Sequence, residues 1–384
     1  MFPPVGRTQA AARADIYPSA NSGRGKPVRG VVPHFGDPVP DGHDATCPGE
    51  TISLTSQTVE GALRRGDSKG DMHVDDSATR SRVLLIGATG RSGSTLVSRV
   101  LGSLPGAFSV GELCWIWTYG VLRNRPCGCG RDFLDCPFWT GVGKRAYGGW
   151  DQVDADRANV LRRKVTRNRR IPELLTRPMG SLADEVDEYV TLLAPLYAGI
   201  TAESGGAVIV DNSKQPEIAL LARRTPGVDL SVLHLVRRSH GVAYSWTKHV
   251  KRSDKAGREM LRKPPSRTAA AWLLDNALFE TIGRTGTPRL QMRYEDFVAA
   301  PLARTREVVD FLDLDIPDEQ MPFEGPTEVR LAADHSVWGN PMRLQTGTIP
   351  MRPDEAWREG LPAGARRTVS AISWPGLLRY GYRD

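Results

Sequence analysis

The sequence predicts an α/β protein: a parallel sheet flanked by helices on both faces, behind a disordered N-terminal leader. Three observations carry this expectation. The texture of the chain changes at Arg82, apolar runs of strand length then alternate with helical patterning, and each such run ends in a cluster of polar residues.

Residues 1–80 are rich in Gly, Pro, Ser, Asp and Arg and hold no sustained period of 2 or 3.6. Such a segment cannot offset its ordering entropy by burial, so it reads as a disordered leader, with a tethering arm as the alternative. Residues 81–384 then read as one α/β domain. "RVLLIGA" is a continuous apolar strand, and "STLVSRVLGSL" puts Leu96, Val97, Val100, Leu101 and Leu104 on one helical face. "GGAVIVDNSK", "VDLSVLHLVRR" and "TPRLQMRYEDF" repeat the strand-then-helix unit. Between the first two strands, "DADRANVLRRKVTRNRRIPELL" and "LADEVDEYVTLLAPLYAGI" read as packed helices with solvated charge. In an open parallel sheet ligands gather at the carboxyl ends of the strands. The glycine turn after the first strand, Asp211–Lys214, Arg237–Ser239 and Arg293–Asp296 all fall there.

Composition narrows the function classes. A net charge of +7 over 384 residues suits an anionic small molecule, and no basic run interleaved with aromatics points to nucleic acid. No apolar run approaches the ~20 residues that span a bilayer, and the N-terminus lacks a signal-peptide core, so the expected location is cytoplasmic. Five cysteines are not a secretory disulfide framework, and reduced thiols are expected. Oligomeric state is not legible.

"GATGRSGSTL" must hold a phosphate: the triphosphate of a nucleotide, the pyrophosphate of a dinucleotide, or a 5′-phosphosulfate. The unit is P-loop-like in its strand, turn and helix. Aligned on Gly93-Ser94-Thr95, however, a triphosphate loop would need glycine at Ala88 and lysine at Ser94. Gly87, Gly90 and Gly93 also resemble the loop of extended short-chain dehydrogenases, with Tyr244 and Lys248 as that family's Y-x-x-x-K and Ser231 upstream. Against an NADP-dependent oxidoreductase, Ser231 lies inside an apolar strand and two arginines end that strand.

A turn of amides and hydroxyls with one arginine at a helix N-terminus suits a compact dianion. "GRSGSTL" resembles the 5′-phosphosulfate loop of sulfotransferases that use 3′-phosphoadenosine 5′-phosphosulfate, and "LVRRSHGVAYSW" resembles their 3′-phosphate motif. "RYEDF", "FLDLDIP" and "HSVWGNPMR" are similar to later parts of that family, in its bacterial branch related to carbohydrate and tyrosyl-protein sulfotransferases. The resemblance covers roughly residues 82–384. It implies that Gly90, Arg91, Ser92, Gly93, Ser94 and Thr95 hold the phosphosulfate, that Arg237 and Ser245 hold the 3′-phosphate, and that Tyr294 contacts the adenine. Arg343 is a further candidate for the donor phosphates. Glu112 would be the base for a hydroxyl acceptor, whether small molecule, carbohydrate or lipid, with Lys214 and Arg91 stabilising charge. Arg91 departs from the lysine of cytosolic members. No metal is called for, because these cations supply the neutralising charge. A protein that binds nucleotide without turnover is the remaining alternative.

Two features have weaker claims. Cys127, Cys129 and Cys136, with Cys114 upstream, invite zinc, but C-x-C is not the usual C-x₂-C knuckle, and buried thiols are the plainer expectation. Residues 247–265 are basic and read as a solvated segment or a flap.

Overall fold

In the computed structural model of the chain, which describes residues 80–176, 178–249 and 261–382, β1 (Ser81–Gly87) is the central strand of a five-stranded parallel sheet. Its neighbours are β3 (Val208–Lys214) and β4 (Val228–Val236), flanked in turn by β2 (Ala107–Gly111) and β5 (Arg289–Arg293), giving the order β2-β3-β1-β4-β5. Every β1 residue but Arg82 is buried. Val83 and Leu85 join one hydrophobic cluster and Leu84 and Ile86 another, as alternation demands of a strand covered on both faces.

Helices form those covers. On the Val83 side lie α2 (Pro137–Tyr147), α3 (Ala155–Val165), α4 (Ile171–Leu175), α5 (Ser181–Glu203), α6 (Pro216–Arg224) and Phe279 of α8 (Pro265–Arg284). On the Leu84 side lie α1 (Ser94–Leu101), α9 (Tyr294–Ala299) and α10 (Pro301–Phe311). A small antiparallel sheet, β6 (Phe323–Gly325), β7 (Glu328–Leu331) and β8 (Gly347–Pro350), adds Val329 and Leu331 to that side. Trp272 of α8 gathers α7 (Ser239–Thr247) and, beyond the short α11 (Trp357–Gly360), the C-terminal α12 (Ala363–Arg379) into a third cluster.

The α/β class and the helices on both faces agree with the sequence expectation. β2 was not expected: five residues that follow one glycine of positive φ and end on another give too short an alternation to read. Residues 1–79 of the expected leader and 250–260 of the basic segment lie outside the described residues. Among the described residues, no helix is long and apolar enough to cross a membrane.

Glu217, the second residue of α6, is only 3% exposed. Burial, reinforced by Asp275, pushes its carboxyl up to about 7. The folded state therefore keeps a proton that the unfolded chain releases above its ordinary value, so this contribution is full at low pH and lost as pH rises through 7. Glu217→Gln should leave stability nearly unchanged at pH 4 and raise it by up to about 3 kcal/mol at pH 8. Denaturant melts at the two pH values check this, and an equal gap at both would contradict it.

Candidate active site

The strand order sets the candidate residues in a row along the carboxyl edge of the sheet. Glu112 follows β2, Lys214 ends β3, the Gly90–Thr95 turn follows β1, Arg237 follows β4 and Tyr294 follows β5. Register keeps the strand ends nearly level: Gly87 is paired with Lys214 and Gly111 with Asp211.

Glu112 and Lys214, 102 residues apart, form an ion pair with both side chains largely buried. Their segments are fixed from beneath. Asp211, fully buried, accepts from the Ser213 amide at 2.9 Å and the Ser213 hydroxyl at 2.5 Å, and the Cys114 amide donates to Ser213 Oγ at 3.0 Å. Burial pushes the Asp211 carboxyl up to about 6. The Glu112 amide donates to the Trp338 carbonyl at 3.1 Å, and the Trp338 ring stacks on Tyr119 with centroids 3.8 Å apart.

The glycine turn joins this pair to Arg237. Arg91 has φ +77° and Lys214 φ +67°, two of the four non-glycine residues in the left-handed region among the described residues. Such backbone costs about 1–3 kcal/mol and concentrates at functional sites. Burial lowers the Arg91 guanidinium, and the nearby Glu112 carboxylate opposes that. Arg91 lies over the Trp246 ring at 5.3 Å, and Trp246 Nε1 donates to the Gly90 carbonyl at 3.0 Å. Ser94 and Thr95 open α1, where amides lack intrahelical acceptors, and Gly93 at the N-cap supplies no side-chain cap. The Ser92 hydroxyl is buried without a hydrogen-bond partner among the described residues. These groups fit a compact anion.

Arg237 is 6% exposed. It donates to the Arg91 carbonyl at 3.0 Å and to Asp354 at 3.0 Å, and lies 5.0 Å over the Tyr294 ring. Tyr294 in turn packs on Gly93, where an added Cβ would lie 2.2 Å from the ring and the backbone has φ +82°. Gly93→Ala should therefore cost several kcal/mol through both strain and overlap, on the order of 2–4 kcal/mol. Urea unfolding of this variant checks it, and an unchanged midpoint would contradict it.

Ser245 sits half-buried on α7, which begins two residues after Arg237. Arg343 lies in the loop that carries Trp338. It is 2% exposed and spends its terminal nitrogens on the carbonyls of Ser336 at 3.0 Å and Pro126 at 2.6 Å. These bonds brace that loop against the segment of Pro126.

The dehydrogenase set is not assembled. Ser231 is paired with Leu84 midway along β4, short of the carboxyl edge. Tyr244 points its hydroxyl at Gly360, and Lys248 lies against the Tyr244 ring and within 3.8 Å of Asp354. Moreover β3, not β2, lies beside β1, unlike the 3-2-1-4 order of dinucleotide-binding sheets.

Sequence reasoning missed Trp246, Asp354 and Trp338. Trp246 adjoins a residue that was singled out, and its place at the end of the same motif was the available signal; Asp354 lies in an aperiodic Pro-containing stretch and offered none.

No protein family's sequence profile matches the chain, and no curated protein does. Among solved structures, it is similar to the sulfotransferase domain from the Synechococcus PCC 7002 olefin synthase, at 20% identity over 81% of this chain and 98% of that one, TM-score 0.44. It is similar to the sulfotransferase domain from the curacin biosynthetic pathway at 17% identity over 77% and 98%, TM-score 0.40. A sulfotransferase from Alicyclobacillus acidocaldarius gives 14% over 77% and 96%, TM-score 0.32. The solved folds that this chain is similar to are thus those of sulfotransferases, at a likeness too distant to assign an activity.

Proposed function

We propose that the protein is a sulfotransferase that moves a sulfuryl group from 3′-phosphoadenosine 5′-phosphosulfate to a hydroxyl of a small-molecule, carbohydrate or lipid acceptor. The observation that carries this reading is the row along the sheet edge: an acid–lysine pair, an amide-rich turn, and a second buried arginine beyond it. A donor with anionic groups at both ends of a nucleoside needs two separated pockets of this kind.

In this reading Gly90–Thr95 receive the phosphosulfate, Arg237 and Ser245 the 3′-phosphate, and Tyr294 lies between these pockets beside the nucleoside. Glu112 takes the acceptor proton. The acceptor oxygen bonds to sulfur as the bond from sulfur to the bridging phosphate oxygen breaks, and 3′,5′-adenosine bisphosphate leaves. Lys214 and Arg91 stabilise the charge on the sulfuryl and leaving oxygens. No step in this scheme needs a metal.

The test is incubation of the full chain with donor labelled in its sulfuryl group and a panel of phenolic, sugar and aliphatic hydroxyl acceptors. Acceptor-dependent release of bisphosphate together with a labelled ester is expected. Tight donor binding with no transfer to any acceptor would favour a nucleotide-binding protein without turnover.

A further inference from the structure

A second constellation lies away from the Glu112–Lys214 pair. Cys127, Cys129, Cys136 and His335 present three sulfurs and a ring nitrogen within 4.8 Å of one another. Cys136 Sγ lies 3.2 Å and Cys127 Sγ 3.7 Å from His335 Nδ1, and Cys129 Sγ lies 3.7 Å from Cys136 Sγ. With zinc–sulfur bonds of about 2.3 Å and zinc–nitrogen bonds of about 2.0 Å, the edges of a tetrahedron are about 3.5–3.8 Å. The sulfurs belong to unbridged thiols.

The surrounding backbone is shaped to bring these atoms together. Pro126 and Asp132 bridge across the Cys127–Cys129 turn, which closes with the Cys127 amide on the Arg131 carbonyl at 2.8 Å. Gly128 admits the second chain segment: its amide donates to the Ser336 carbonyl at 3.0 Å, and a Cβ there would lie 2.1 Å from Asp334 Oδ1. Cys136 is the N-cap of α2, with Pro137 starting the helix. The His335 ring packs against the stacked pair Phe138 and Phe108, centroids 5.0 and 6.0 Å away and nearly parallel, while Trp139 Nε1 holds the His335 carbonyl at 2.8 Å. Arg343 ties together the residues next to Cys127 and His335 by its bonds to the Pro126 and Ser336 carbonyls. Three thiolates and an imidazole around a divalent ion carry net negative charge, and the buried guanidinium of Arg343 is its counter-charge.

We propose that Cys127, Cys129, Cys136 and His335 form a closed structural zinc site that staples the 126–139 segment to the 334–343 loop. Soft thiolates in tetrahedral array with one imidazole select zinc, and four protein ligands leave no open position for catalysis. The ligand that completes the set is His335, 199 residues from Cys136, and not Cys114, which is not part of the cluster. The site is independent of the transfer reaction, although its loop carries Trp338, whose carbonyl holds the Glu112 amide.

The test is elemental analysis of the full, untagged chain purified without chelators under reducing conditions, followed by stripping and titration with zinc alone against a chromophoric chelator. About one zinc per chain is expected, with affinity lowered more than about 100-fold in Cys129→Ser and unchanged in Cys114→Ala. Cys129 is the half-exposed sulfur of the three, so its serine variant leaves the buried sulfurs in place; the measurement on the parent chain does not depend on any variant folding. Parent protein that holds no zinc after incubation with it, zinc retained in a Cys129→Ser/Cys136→Ser double variant, or a native Cys129–Cys136 disulfide would each overturn the proposal.

Discussion

Glu112→Gln is expected to lower turnover by about 10²–10⁴-fold while leaving the affinity for 3′,5′-adenosine bisphosphate close to that of the parent. The amide keeps the shape of the carboxylate and removes its capacity to take a proton. Glu112 stands at the β2 end of the row, beyond Lys214 and away from Arg237, so the proposed 3′-phosphate contact at Arg237 is not touched. Loss of the ion pair leaves Lys214 without its carboxylate, so a fold check by thermal melting accompanies the rate. Single-turnover transfer from bound donor separates chemistry from product release. Near-parental turnover in Glu112→Gln would remove the base from the account.

Arg237→Ala should weaken bisphosphate binding by about 10–100-fold, the size of one or two charge-assisted hydrogen bonds. The structure adds a control of opposite sign. Asp354 accepts from the same guanidinium and lies 3.8 Å from Lys248. Burial alone would raise the Asp354 carboxyl, but Arg237 and Lys248 hold it below the usual carboxylate range. A 3′-phosphate directed to Arg237 must compete with that carboxylate, so Asp354→Asn should tighten binding. Calorimetry on both variants reads the two signs; weaker binding in Asp354→Asn would show that Asp354 supports the ligand instead of competing with it.

The legible part of the fold was the part built on continuous apolar runs. β1, β3 and β4 are largely buried strands whose Val, Leu and Ile content announces them, β5 is a mostly half-buried outer strand with only Leu290 and Met292 apolar, and the residues after each announce the carboxyl edge. β2 is five residues long and gave no such run, yet it is the strand that delivers Glu112. Family resemblance singles out Glu112 and Lys214 separately, but their pairing depends on β2 and β3 being neighbours, a fact of topology. Asp354 on Arg237 and His335 beside Cys136 are contacts across 117 and 199 residues, which no local pattern encodes. The burial of Arg343 was not legible, because an arginine in a Gly/Pro loop looks exposed, whereas the Pro126 carbonyl that reaches it comes from 217 residues away.

The central claim is that the carboxyl edge holds a nucleotide with anionic groups at both ends. Calorimetric titration of the full chain with 3′,5′-adenosine bisphosphate, with NADPH and ATP titrated in parallel, tests it most directly. Saturable binding of the bisphosphate alone is the predicted result. Binding of NADPH without binding of the bisphosphate would contradict it, and would return attention to Tyr244 and Lys248.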